Sequence, residues 1–150
     1  MHRQHTNKLF IYMKTLTQHL LESMDNRTWI FTIVKPGFLE HTPGIINIFK
    51  KHGWSVAKVR TTKLLRTQAA DLYRPLSKED FFPNLCDYMS SDLSTAIIYE
   101  HPTLPQKEAY KVVADIKDGI RDKWGVDDCR NVMHSSDSYS NMERESSIYF

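Results

Sequence analysis

Seven consecutive residues, Thr28-Trp29-Ile30-Phe31-Thr32-Ile33-Val34, are β-branched or aromatic without a break. Such side chains lose rotamer freedom in a helix and pack well on a pleated surface. An alternating run would leave one face in water, whereas an unbroken run reads as a strand buried on both faces. The rest of the chain therefore has to build a sheet around this strand and cover it. The run stops at Lys35-Pro36-Gly37, a turn signal.

The later segments supply the cover. Thr42-Pro43 reads as an N-cap followed by proline at the first helical position. Ile45, Ile48, Phe49 and His52 follow at helical spacing, and Gly53 is a natural stop. Alternation over 54–62 predicts a second strand. A short helix is expected over 67–73, closed by Pro75, and a further one over 79–90 from the stripe Phe81, Leu85, Tyr88, Met89. Residues 93–99 read as a third strand, 105–117 as a helix, and 131–133 as a short β-like segment, with a closing helix after Ser138. This order predicts the α+β class, with helices packed on one sheet.

The chain has 150 residues, which suits one ordinary domain. Its net charge of +2 is compatible with a phosphate ligand and too weak to suggest a nucleic-acid surface. Cys86 and Cys129 lack zinc-motif spacing and read as two reduced thiols. No apolar run approaches the roughly 20 residues that span a bilayer, and no secretory signal is visible. The expectation is a cytoplasmic protein that binds no membrane. Residues 1–27 differ from the rest and read as an extension. It is a tail, an added helix through Leu9, Met13, Leu16, Leu20 and Leu21, or sequence upstream of a start at Met24. The domain proper is placed at 28–150.

Seven histidines make any single one weak evidence. His134 stands apart by context, because an apolar segment runs through it into the polar cluster Ser135-Ser136-Asp137-Ser138, ahead of Glu143 and Glu145. A histidine held at one ring nitrogen by a hydroxyl or carboxylate keeps the other free as a nucleophile. The alternative reading is that Ser136 to Ser138 only cap a helix. Lys35, at a strand end before a turn, could neutralise a phosphate, or it could be a solvated turn lysine. No GxxxxGK[ST] loop and no protein-kinase signature is present.

Four elements occur in order: Lys35-Pro36-Gly37, Asp80-Phe81-Phe82-Pro83-Asn84-Leu85, Gly119-Ile120-Arg121, and Arg130-Asn131-x-x-His134-x-Ser136-Asp137-Ser138. Together they resemble the nucleoside diphosphate kinase family, from about Thr28 to Phe150. The last element is the specific one. The resemblance implies a ferredoxin-like βαββαβ sandwich, an antiparallel four-stranded sheet covered by helices. It implies a Mg²⁺-dependent ping-pong transfer of the terminal phosphoryl group from ATP or another nucleoside triphosphate to a nucleoside diphosphate. It also implies a homo-oligomer. By the same resemblance His134 is the nucleophile, and Glu145 and Ser136 orient its ring. Lys35, Tyr73 and Asn131 contact sugar hydroxyls and phosphates, and Arg121 clamps phosphate. Phe81 stacks on the base, Leu85 lines the same cleft, and Asp137 helps hold Mg²⁺ through water.

The chain departs from the family in several places. The family's Lys-Pro-Asp-Gly lacks its Asp here, and Ser135 replaces the usual Gly after the histidine. The Gly-Asp that follows the family's arginine is replaced by Asp122-Lys123, and Asp128 stands where an apolar residue usually covers the base. Between Glu100 and Arg121 the family has a longer segment with an Arg and a Thr that bind phosphate. That segment is shortened, leaving Lys111 or Lys117 to replace the charge. These departures lead to two expectations: weaker phosphate binding or a shifted nucleotide preference, and, from the shortened loop, a dimer or tetramer instead of a hexamer. Three functional readings follow: an active enzyme, a nucleotide-binding or interaction module without turnover, and a phosphohistidine that phosphorylates proteins.

Overall fold

The computed structural model describes residues 27–150. The expected extension helix lies outside them. The elements are β1 (Thr28–Val34), α1 (Thr42–Lys51), β2 (Ser55–Thr62), α2 (Arg66–Leu72), α3 (Phe82–Met89), β3 (Ser94–His101), α4 (Gln106–Trp124), β4 (Met133–Ser135) and α5 (Tyr139–Tyr149). The four strands form one antiparallel sheet in the order β2-β3-β1-β4. This is the ferredoxin-like arrangement, with α2, α3 and α5 added to it.

Strand β1 lies inside the sheet, as its unbroken apolar run requires. Ile30 and Val34 face a core made with Ile45 and Phe49 of α1 and Val113, Ile116 and Ile120 of α4. Phe31 and Ile33 face a second core made with Leu72 of α2, Leu85 and Met89 of α3, and Met142 and Tyr149 of α5. The sheet is thus sandwiched between two helical layers. Burying each such side chain contributes on the order of 1.5–3 kcal/mol.

Several boundaries differ from the sequence reading. Thr42 is the first residue of α1 and does not cap it, because a 3-10 turn (Leu39–His41) feeds straight into the helix. Gly53 does end the α1 turn, with a φ of 89° that favours glycine. Helix α3 begins at Phe82, which leaves Phe81 outside the helix as its cap residue and half exposed. Helix α4 runs on to Trp124, because the stripe Ala109, Val113, Ile116, Ile120 continues past residue 117 and its burial outweighs the cost of Gly119. The short strand sits at Met133–Ser135, two residues later than expected, and includes His134.

Candidate active site

The pairing of β4 with β1 decides where His134 points. Ile33 lies opposite His134, and Val34 opposite Met133. Side chains alternate along a strand, so Met133 enters the core under α1 and α4 while His134 takes the opposite face, toward α2 and α5. Just before it, Val132 has a φ of 82°. A β-branched residue is strained there. Its carbonyl accepts from the backbone N–H of Lys35 at 2.8 Å, which ties the strained residue to the end of β1.

The imidazole Nε2 of His134 lies 2.7 Å from Oε1 of Glu145. The hydroxyl of Ser136 donates to the same oxygen at 2.7 Å. Glu145 is 5% exposed, and Arg144 approaches its other oxygen at 3.5 Å. Arg144 is in turn anchored to the carbonyls of Asp71 and Leu72. A carboxylate accepts, so Nε2 carries the proton and Nδ1 is left with its lone pair. Nδ1 has no hydrogen bond among the described residues. The Tyr73 ring meets the imidazole edge-on at 5.5 Å. Burial pushes the His134 pKa below its ordinary value, the bond and charge of Glu145 oppose this, and Lys35 and Lys117 add to the depression. The net direction favours the neutral ring.

His134 opens onto a cleft of about 690 Å³. Three cations line it. Lys35, 4% exposed, donates to Oδ1 of Asn131 at 2.7 Å and to the carbonyl of Cys129 at 3.3 Å. Arg121 donates to the carbonyl of Met133 at 2.8 Å. Lys117 lies one helical turn before Arg121 on α4. None of the three is paired with a carboxylate among the described residues. Burial, then the charge of Arg121, lowers the Lys35 pKa to about 7, with Cys129 and Asp127 pulling upward and Lys117 downward. The Tyr73 hydroxyl and Arg121 Nε are buried without a hydrogen-bond partner among the described residues. Buried polar atoms of this kind are rare in a folded protein and are expected where a ligand binds.

At the cleft mouth Phe81 is 50% exposed, while Leu85 is buried in the wall. Asp137 also lines the cleft, with its carboxylate held by Asn141 at 2.8 Å. Among the described residues no three His, Cys, Asp or Glu side chains converge as a metal cage. One carboxylate in a cleft lined by three cations is nonetheless a donor set that would suit Mg²⁺, which keeps several waters and binds largely through substrate phosphates. The serine cluster divides its contacts: the Ser136 hydroxyl donates to Glu145, while the Ser138 hydroxyl accepts from the Asn141 N–H and caps α5.

The residues to which the family resemblance assigned roles line this cleft except Ser136, which reaches the site through its bond to Glu145. Of the two lysines offered in place of the missing charge, only Lys117 lines it. Lys111 is exposed and pairs with Asp115 at 3.3 Å. Arg144, Asn84, Asn141 and Cys129 went unrecognised in the sequence. Arg144 carried a signal, since it adjoins Glu145. Both cysteines are free thiols.

The sequence model of the family described as nucleoside diphosphate kinase matches residues 27–150. The chain belongs to the nucleoside diphosphate kinase family. Among its relatives, a nucleoside diphosphate kinase of Fervidobacterium nodosum is 31% identical over 127 residues, covering 80% of this chain and 86% of that protein. The chloroplastic nucleoside diphosphate kinase 2 of Nicotiana tabacum is 27% identical over 155 residues, and this chain spans 64% of its length. The crystal structure of the Aquifex aeolicus nucleoside diphosphate kinase superposes with a TM-score of 0.73. It is 24% identical, with 83% of this chain and 95% of that one covered, and it supports the fold. Family membership places the chain among proteins of nucleotide phosphotransfer. Among the described residues no helix is long and apolar enough to cross a membrane.

Proposed function

We propose that the chain transfers the terminal phosphoryl group of a nucleoside triphosphate to a nucleoside diphosphate by a ping-pong cycle through His134. The observation that carries this reading is the imidazole itself. Its Nε2 is tied to Glu145, and its Nδ1 has no hydrogen bond among the described residues, in a cleft whose Lys35 and Arg121 donate there only to neutral oxygens.

In the first half-reaction Nδ1 attacks the γ-phosphorus. The Nδ1–P bond forms as the P–O bond to the β-phosphate breaks, and the diphosphate leaves with that electron pair. Glu145 accepts the Nε2–H bond throughout and so balances the positive charge that the ring gains. In the second half-reaction the β-phosphate oxygen of an acceptor diphosphate attacks the same phosphorus and returns the ring to its neutral state. Such transfers need positioning and charge neutralisation more than proton chemistry. Arg121, Lys35 and Asn131 supply these to the phosphates and sugar, with Tyr73 hydrogen-bonding a ligand oxygen. Phe81 stacks on the base over Leu85, a contact worth roughly 1–3 kcal/mol and tolerant of base identity. Asp137 would hold Mg²⁺ through water, and the metal supplies charge neutralisation on the phosphates. The reading includes a homo-oligomer smaller than the family's hexamer, to be sized by light scattering.

Incubation with γ-labelled ATP tests the proposal. The intact protein should take up an acid-labile, base-stable label, lose it to an added diphosphate, and take up none as His134→Ala. The absence of the family's phosphate-binding Arg and Thr favours a second reading, a nucleotide-binding module without turnover. An unlabelled intact protein that still binds ADP would select it.

A further inference from the structure

Lys117 lines the cleft but belongs to none of the motif elements that mark the family in this chain. The segment in which the family carries its phosphate-binding Arg and Thr is here a continuous helix, α4. From residue 101 to residue 121, only Lys117 and Arg121 line the cleft. They stand four residues apart on one helical face, where like charges repel. The helix spends its buried positions, Ala109, Val113, Ile116 and Ile120, on the apolar core.

The Lys117 ammonium is half-buried and has no hydrogen bond or ion pair among the described residues. Asp118, Asp137 and Glu145 act on it only through space. Glu145 is already engaged by His134, Ser136 and Arg144, and Asp137 by Asn141. The charge of Lys117 is felt at the His134 ring, as is that of Lys35. A cation that repels its helical neighbour, has no fixed carboxylate partner and acts on the nucleophile is placed to receive an anion.

Given phosphotransfer through His134, on which this role rests, we infer that Lys117 binds the phosphoryl group presented to the imidazole, and so supplies from α4 the charge that the family's missing segment provides. Lysine acts as a point charge and lacks the bidentate fork of arginine. The contact therefore neutralises charge without fixing the phosphate's orientation, which stays with Arg121.

The test compares Lys117→Met, which keeps the apolar stem, with Lys117→Arg and Lys111→Met. For label transfer from ATP, Lys117→Met should lower kcat/KM about tenfold or more, the usual consequence of losing one charge-assisted contact. Lys117→Arg should keep most of the activity, and Lys111→Met should match the wild type. The urea midpoint of Lys117→Met should not fall, and should rise slightly as the repulsion with Arg121 is relieved, which separates a ligand contact from a structural one. ATP affinity is measured in parallel in the His134→Ala background, where no transfer occurs. If the intact protein takes no label, the phosphotransfer reading falls; a loss of ATP affinity confined to Lys117→Met still upholds the contact. Wild-type behaviour of Lys117→Met in both assays, or an equal loss in Lys111→Met, overturns the inference.

Discussion

Glu145 Oε1 accepts from His134 Nε2 and from Ser136 Oγ, each at 2.7 Å, so a single buried oxygen fixes the ring's tautomer and its rotation. The three residues come from β4, the turn after it and α5, and they lock together only when α5 packs on the sheet. Replacing Glu145 by Ala frees the imidazole to exchange tautomers and, in the proposed mechanism, removes the charge that balances the phosphorylated ring. Phosphohistidine formation in Glu145→Ala should fall about 100-fold, the scale on which a positioned acid–base partner acts. Ser136→Ala, which keeps the carboxylate, should lose far less. Rapid-quench measurement of label uptake checks both, and equal rates in Glu145→Ala and wild type would refute the assignment.

With Lys35 against a phosphate, as the proposed function has it, nucleotide binding should depend on pH. Burial and Arg121 lower its pKa to about 7, so above that pH the side chain is mostly neutral. A bound phosphate favours the charged form and raises that pKa. Binding between pH 7 and the raised value must therefore take up a proton, and affinity must weaken as pH rises across that window. Calorimetry of ADP binding at pH 8, in buffers of different ionisation enthalpy, should report this uptake. Lys35→Met should abolish it while binding more weakly at pH 6. Proton release, or uptake unchanged in Lys35→Met, would contradict the prediction.

Gly119 occupies the interior of α4, and a Cβ built there meets nothing within 4 Å. Glycine in a helix interior costs on the order of 0.5–1 kcal/mol relative to alanine. Gly119→Ala should therefore stabilise the fold by about that amount. The urea midpoint should rise with an unchanged denaturant slope. A drop in the midpoint would mean that α4 bends at residue 119 in solution.

The local sequence carried a good deal of this. The unbroken run in β1, the helical stripes of α1 and α4, and the stop at Gly53 follow from period and backbone sterics, which act between near neighbours. The pattern Asn131-x-x-His134-x-Ser136-Asp137-Ser138 marked the family because those residues sit within one short stretch. Their partners do not. Lys35 meets Asn131 across 96 residues of chain, and Arg144 meets the carbonyl of Asp71 across 73. Which of Lys111 and Lys117 faces the cleft, and which imidazole nitrogen is free, depended on how α4 and α5 dock against the sheet. Docking is set by the summed burial of two cores, a property of the whole packed chain that no local window of residues contains.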